Sequence, residues 1–446
     1  MEKGVLRHGY TTGACAAAAV KGAAQMLRDQ MLVDEVELNL PGGETVTFPL
    51  HGQEIAGNYA SCHVIKDAGD DPDVTNGVEI HARVSIDFFQ PRTVVIEGGE
   101  GIGKVTKPGL AVPVGEWAIN PVPRRMIMQS VKEVFAMRCI SSTLTVSLSI
   151  PDGRERAKKT LNERLGIIGG LSILGTTGIV RPVSAQAWID TIDAAVDVAL
   201  ACGSDTVVLS TGRTSELVAQ KSVKSGDRGP GTKGRDSGFG IREPEGRDQK
   251  LGDGDRGTDS RLDISGCSKI VRSSHPQQAP RRRSTLWGIN SATPHTEACE
   301  DGGEMAVFQQ PPPEEAFVMM GDHVGHALRA CAAKGVKRVI LAGQFAKLLK
   351  IACGHEQTHV SSSELDLRAL REWLSPEENS HLIRLAESAA TARHLLETSG
   401  YDLRLIHLVC DRARAVAERL APGLDVKVLL AGYRGEVLYS GIETGC

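Results

Sequence analysis

Aromatic residues are scarce. Phe, Trp and Tyr together make up 4% of the chain, which argues against a binding surface built on base stacking. Charge of one sign is also lacking. The formal net charge is −4, so no global field draws the protein to nucleic acid or to an anionic membrane. Any anionic ligand must be met by local basic clusters. The opening MEKGVLRHGYTTG has no hydrophobic signal core. The longest apolar stretch, residues 167–180, is too short and too rich in glycine to span a bilayer. The ten cysteines include no CxxC pair. Cys15, Cys62, Cys139, Cys202, Cys331, Cys353 and Cys410 sit mostly among small or apolar neighbours, as expected of buried thiols in a reducing cytosol. These absences point to a cytoplasmic protein with no nucleic-acid and no membrane partner. They leave the oligomeric state open.

What is present is glycine, 49 residues of it in a chain of 446. That length makes two domains the natural expectation. Residues 1–153 mix strands and helices without a βαβ rhythm. An Ala-rich helix is expected over 14–27, a hairpin over 33–40 and 45–50, and strands over 77–89, 93–96 and 144–150. A helix with Pro in its first turn is expected over 124–137. This reads as an α+β domain. Residues 154–221 and 314–446 have the alternating rhythm: helices over 184–202, 321–334, 365–373, 376–399 and 403–420, and buried strands over 205–209, 338–342 and 426–431. A closing strand follows over 436–440. The reading is an α/β domain with a mostly parallel sheet, whose ligands belong at the carboxyl ends of the strands. Residues 222–313 are Gly, Arg, Asp, Ser and Pro with few large apolars. Such a segment cannot offset its ordering entropy and is expected to be a disordered insert.

Two motifs tempt and fail. His355–His359 spells HExxH, a zinc-protease signature that needs both imidazoles on one helical face. Here Gly354 stops one helix, and Ser361-Ser362-Ser363-Glu364 resembles the cap of the next. Gly98–Val105 nearly spells a phosphate-binding P-loop, but Val105 replaces the hydroxyl and Pro108-Gly109 block the helix that should follow. A turn presenting Lys104 and Lys107 to an anion survives that loss. The acid cluster Asp67-Ala68-Gly69-Asp70-Asp71-Pro72-Asp73 reads as an Asp-rich turn, with a hard-cation site or a contact to ligand amines or a ring nitrogen as the functional alternatives.

The densest signal is LGIIGGLSILGTTGIVRP at 165–182. Gly169, Gly170, Gly175 and Gly178 permit close backbone approach, and Thr176 and Thr177 offer hydroxyls. Ligand binding and tight packing both use such glycines. A second loop, Thr211-Gly212-Arg213-Thr214, follows a strand of the parallel set, where Arg213 suits a ligand carboxylate.

Taken in order, GYTTGACAAAA, VIKDAGDDPDVTNG, GGEGIGKVTKPGL, VGEWAINPVPRRMI, IPDGRERAKKTLNERLGIIGGLSILGTTGIVRP, STGRTSE, MGDHVGHAL and GQFAKLLKIACGH resemble the cobalt-precorrin-5B C1-methyltransferase family of anaerobic cobalamin biosynthesis. The resemblance covers nearly all of the chain outside the insert. It implies S-adenosylmethionine as methyl donor and a cobalt-precorrin tetrapyrrole as acceptor, with the cobalt carried by the substrate and no metal bound by the protein. The macrocycle's acid arms call for cations. Arg124 and Arg125 are the first candidates, then Lys66, Lys104 and Lys107. The donor falls to the loops at 169–178 and 211–214, with Asp322 and His323 as catalytic candidates. Against this stands a non-catalytic corrinoid- or nucleotide-binding protein on the same scaffold. Two departures from the family pattern are visible, the insert itself and Glu163 in place of an expected proline.

Overall fold

Period-two alternation builds the first sheet. In the strands Tyr59–Ile65 and Glu79–Asp87 the inward residues Ala60, Cys62, Val64, Ile80, Ala82 and Val84 are at most 1% exposed. The computed structural model describes residues 6–88, 93–135, 142–182, 184–225, 311–359, 365, 367, 369–374 and 376–442. Within it this sheet runs, in spatial order, His51–Ala56, Tyr59–Ile65, Glu79–Asp87, Thr143–Ser149 and Thr93–Gly98. Its pairings are antiparallel except the last, which is parallel. The first two strands were not read from the sequence. In Tyr59–Ile65 the inward residues Ala60 and Cys62 are small and carry none of the β-branched bulk that marks a strand.

The inner face packs on the helix Thr12–Asp29. Ala14, Ala16, Ala17, Ala18 and Ala19 are all 0% exposed. A helix of alanines keeps no neighbour at a distance, so the sheet, the helix Pro121–Val134 and the hairpin strand Glu35–Asn39 can all close on it. Thr11 caps it through its side chain, which accepts from the Ala14 N–H.

The second sheet has the spatial order Phe317–Met319, Thr206–Ser210, Arg338–Gln344, Asp425–Ala431 and Val437–Ser440. Its first four strands are parallel and its last is antiparallel. Helices cover both faces. Ala185–Ala201, Val324–Ala333, Phe345–Ala352 and Leu403–Leu420 enclose one core with Val207, Leu209, Val339 and Leu341. Arg213–Ser225 covers the other face through Val218 and Ala219. The chain is thus a mixed α/β protein.

Three sequence expectations shift. The strand Phe317–Met319, only three residues long, was missed. The expected helix 376–399 is two, Pro376–Ser388 and Ala392–Thr398, because the Thr391 side chain accepts from the His394 N–H and starts a new helix. The helix Arg213–Ser225 extends past residue 222, where the insert was expected to begin. Most of that insert, residues 226–310, lies outside the described residues. Cys15, Cys62, Cys331 and Cys410 are buried, whereas Cys202 is exposed. Burial pushes the thiols of Cys15, Cys62 and Cys331 up to about 12, which leaves them unreactive. Among the described residues no helix is long and apolar enough to cross a membrane.

Candidate active site

Polar groups gather where the parallel strands end. Ser210 and Met319 are register partners on adjacent strands, so the segments that follow them, Thr211–Thr214 and Met320–His323, leave the same edge of the sheet. Thr211 donates its N–H to the Ala342 carbonyl at 3.1 Å. The helix Arg213–Ser225 starts here, so Arg213 and Thr214 open a helix rather than lying in a loop. Ser215 turns inward, its hydroxyl on the Gly212 carbonyl at 2.8 Å. Arg213 is exposed, and the space where a Gly212 side chain would stand is open.

Asp322 is held from two sides. It accepts from Lys347 Nζ and from the Thr358 hydroxyl at 2.7 Å. Its own carbonyl receives the Thr358 N–H at 3.1 Å. Burial works to raise the Asp322 pKa, but the bonds from Lys347 and Thr358 outweigh it and keep the carboxyl below its ordinary value. Asp322, a catalytic candidate from the sequence, is thus held as an ionised anchor for the 355–359 segment. Lys350, one helical turn from Lys347, also donates to the Thr358 carbonyl, at 3.1 Å. Burial, and after it the Lys347 charge, lower its pKa.

His323 lies beside this anchor. Its Nδ1 accepts from Gln357 Nε2 at 3.0 Å, and its ring stacks with Trp188 at a centroid distance of 6.4 Å. An amide nitrogen can only donate, so this contact engages Nδ1 and makes Nε2 the ring nitrogen that bears the proton in the neutral tautomer. Lys347, Lys350, Thr358, Gln357 and Trp188 escaped sequence reasoning. The one available signal was Lys350, a lysine on the buried face of an amphipathic helix.

The 165–182 segment divides. A Cβ at Gly170 would overlap the Gly101 carbonyl, and one at Gly175 would overlap the Thr11 side chain. Gly178 faces Leu40. The Gly13 N–H and the Thr12 hydroxyl both reach the Leu174 carbonyl, at 2.9 and 3.2 Å. These glycines are therefore filled by protein, and the helix start at Thr12 spends its N–H groups on the chain itself. Gly169, with open space at its Cβ position, and the exposed Thr176 and Thr177 are the members left facing outward.

The basic candidates divide likewise. Arg124 and Arg125 open the helix Pro121–Val134, which meets the glycine segment through the Asn120 N–H on the Ile173 carbonyl at 2.9 Å. Arg125 borders a cleft of 280 Å³ with Leu40, Pro41, Gln129, Ser130 and Glu133. The Ser130 hydroxyl is buried and has no hydrogen-bond partner among the described residues. Lys104 is exposed and lies over the Trp117 ring at 4.5 Å. Two candidates are corrected. Lys66 is 2% exposed with its ammonium 2.6 Å from Asp73, and Lys107 is paired with Glu315 at 2.8 Å. Both are committed to the fold, where a solvent-borne acid arm would find their charge already matched.

The rejected motifs look as their contexts imply. The helix before HExxH ends at Ala352, and Glu356 pairs with Arg329 at 2.7 Å, so the motif lies outside a helix and the two imidazoles do not sit one helical turn apart. Gly101 and Gly103 of the P-loop-like run pack on Ile150 and Ile167, and only the short strand Lys104–Val105 follows. The acid cluster is matched internally: Asp67 pairs with Arg7, Asp70 accepts the Arg7 N–H at 2.7 Å, and Asp73 takes Lys66.

A mixed α/β protein with polar side chains at the carboxyl edge of parallel strands belongs to the class that receives ligands at that edge. Comparison with known proteins narrows the class. The family model described as CbiD matches residues 1–182, and that described as CbiD, C-terminal domain, matches residues 357–441. A cobalt-precorrin-5B C(1)-methyltransferase of Citrifermentans bemidjiense is 54% identical over 97% of this chain and 98% of its own. One from Geobacter metallireducens is 55% identical over 98% of this chain and 99% of its own. A crystal structure of a cobalamin biosynthesis protein from Archaeoglobus fulgidus is 32% identical, covering 48% of this chain and 67% of that one with a TM-score of 0.32. The chain belongs to the CbiD family.

Proposed function

We propose that this protein transfers a methyl group from S-adenosylmethionine to C1 of cobalt-precorrin-5B, giving cobalt-precorrin-6A. The observation that carries this reading is the identity of 54% to a protein named for that reaction, across 97% of one chain and 98% of the other. A match of that extent leaves no room for a different catalytic domain.

The donor set fits the residues at the carboxyl edge of the parallel sheet. S-adenosylmethionine presents a carboxylate, an ammonium and ribose hydroxyls, and supplies a methyl group on a sulfonium, a good leaving group. Arg213 is an exposed partner for the carboxylate, Thr211 and Thr214 offer hydroxyls, and open space at Gly212 admits close approach. His323 gives an N–H at the rim. Asp322 positions it by fixing the 355–359 segment, from which Gln357 holds the imidazole. No strong base is assigned, because alignment and exclusion of water are what such a transfer requires of a protein.

The acceptor falls to the other group. Arg125, Gln129 and the unpartnered Ser130 hydroxyl suit one acid arm of the macrocycle, Arg124 and Lys104 further arms, and the outward Gly169, Thr176 and Thr177 lie on the segment that this helix touches. In this assignment residues 1–153 and the outward part of 169–177 serve the tetrapyrrole, and the sheet edge at 211–214 and 320–323 serves the donor.

Cobalt-precorrin-5B incubated with donor and protein should gain the mass of one methyl group. Tetrapyrrole recovered unmethylated with folded protein would refute the function. Replacing Arg124 and Arg125 together by Ala should weaken tetrapyrrole binding at least about tenfold, the loss of charge-assisted hydrogen bonds, and leave donor affinity unchanged. Equal loss of both ligands would show that the acceptor site is misplaced.

A further inference from the structure

On the solvent side of the first sheet, three imidazoles stand in a row. His51 is the register partner of His63, and His63 that of His81. Directly paired residues in antiparallel strands project from the same face, and Glu79 joins them two residues before His81 on the same strand. Glu79 Oε2 lies 3.0 Å from His81 Nε2 and 4.0 Å from His63 Nε2. The two rings stack with centroids 4.4 Å apart. One ligand atom from each of His63, His81 and Glu79 lies within 4.8 Å of the others. Among the described residues no other group of His, Cys, Asp or Glu meets that spacing.

The packing around this trio favours a ligand over a plain polar face. His63 is largely buried, with 15% of its side chain exposed, while Glu79 remains at 51%, so the site opens outward through its carboxylate. The strand His51–Ala56 departs from regular pairing between His51 and Glu54. There Gly52 takes φ +58, and a Cβ on it would stand 2.9 Å from two atoms of the His63 ring. The backbone is thus shaped to admit that imidazole. A tetrahedral ion with bonds of about 2.0–2.2 Å needs donors about 3.3 Å apart. The separations of 3.0 and 4.0 Å from the Glu79 oxygen bracket that value, and side-chain rotation brings the three donors onto one ion. Two nitrogens and one carboxylate oxygen suit a borderline-soft divalent ion, whereas calcium or magnesium calls for an all-oxygen set.

We propose that His63, His81 and Glu79 bind a divalent transition-metal ion of the zinc class on the outer face of the first sheet, with water in the fourth position. The ion ties the strands Tyr59–Ile65 and Glu79–Asp87 together on the face opposite the helix Thr12–Asp29. Its place in the fold is independent of the methyl-transfer assignment, and it stands or falls separately.

The full-length protein, freed of metal with a chelator, should be titrated with Co²⁺ alone as the probe. The expected result is one saturable equivalent, with the visible ligand-field band of four-coordinate cobalt and no sulfur charge-transfer band, displaced by Zn²⁺. His63→Ala, His81→Ala and Glu79→Gln should each weaken binding at least about tenfold, and Cys202→Ser should leave it unchanged. Zinc should raise the melting temperature of the wild type and not that of His63→Ala, whose own circular dichroism reports that it is folded. Absence of saturable binding, or wild-type affinity in the folded His63→Ala and His81→Ala variants, would overturn the site.

Discussion

Gly170→Val should destabilise the protein by at least about 3 kcal/mol, while Gly169→Ala, one residue away, should cost roughly 1–2 kcal/mol. The two glycines look alike in sequence and differ in what surrounds them. At Gly170 any Cβ overlaps the Gly101 carbonyl, and the Asn162 side chain already holds the Gly170 carbonyl at 3.1 Å. Backbone against backbone has no side chain that can move aside, so the penalty should reach at least about 3 kcal/mol, the upper part of the range for overpacked sites. Gly169 has φ +90 but open space around it, so its substitution bears only left-handed strain of roughly 1–2 kcal/mol. Urea denaturation of both variants measures the contrast. Equal losses would mean that the segment does not seat on residues 99–103.

Asp73→Ala should destabilise the protein by about 3–5 kcal/mol, the range for an uncompensated buried charge. The Lys66 side chain is 1% exposed and Asp73 meets its ammonium at 2.6 Å. Removing the aspartate strands the lysine where water does not reach. Burial acts to raise the Asp73 pKa, but Lys66, and then the Thr75 N–H and hydroxyl, outweigh it and hold the carboxyl below its ordinary value. A carboxyl depressed in the folded state stabilises it above the unfolded pKa of about 3.9 and loses that contribution as pH falls through the folded value. The wild type should therefore lose Asp73's share of stability below about pH 4. The variant should lack that part of the acid-induced loss. Denaturation midpoints over an acidic pH series, compared between the two proteins, check both statements.

How much of this was legible beforehand depends on what each residue must satisfy. The helix Thr12–Asp29, the hairpin, the helix Pro121–Val134 and three of the four parallel strands follow from periodicity and caps carried in contiguous residues. Tyr59–Ile65 was hidden because Ala60 and Cys62 are small where the Ala-rich helix comes close. Phe317–Met319 was hidden because three residues carry no period. At the site, local pattern marked the edge that Thr211 and His323 share. It could not show that Lys66 is consumed by Asp73 seven residues on, or Lys107 by Glu315 across the fold. Nor could it show that Gly175 is filled by Thr11. The last two are long-range pairings that a motif does not encode, and the first depends on how the Asp-rich turn folds back on Lys66. Thr358 shows the same limit: it reads as a loop hydroxyl in a failed zinc motif, and in the fold it is 0% exposed and joins Asp322, Lys347 and Lys350.

In the proposed reading the donor is held at the carboxyl edge of the parallel sheet. Amide hydrogen exchange with and without S-adenosylhomocysteine, the demethylated donor, tests it most directly. Slowed exchange at residues 211–216 and 321–325, with 171–178 and the helix Pro121–Val134 unchanged, is the predicted result. Protection confined to 171–178 and that helix, with none at the sheet edge, would contradict it.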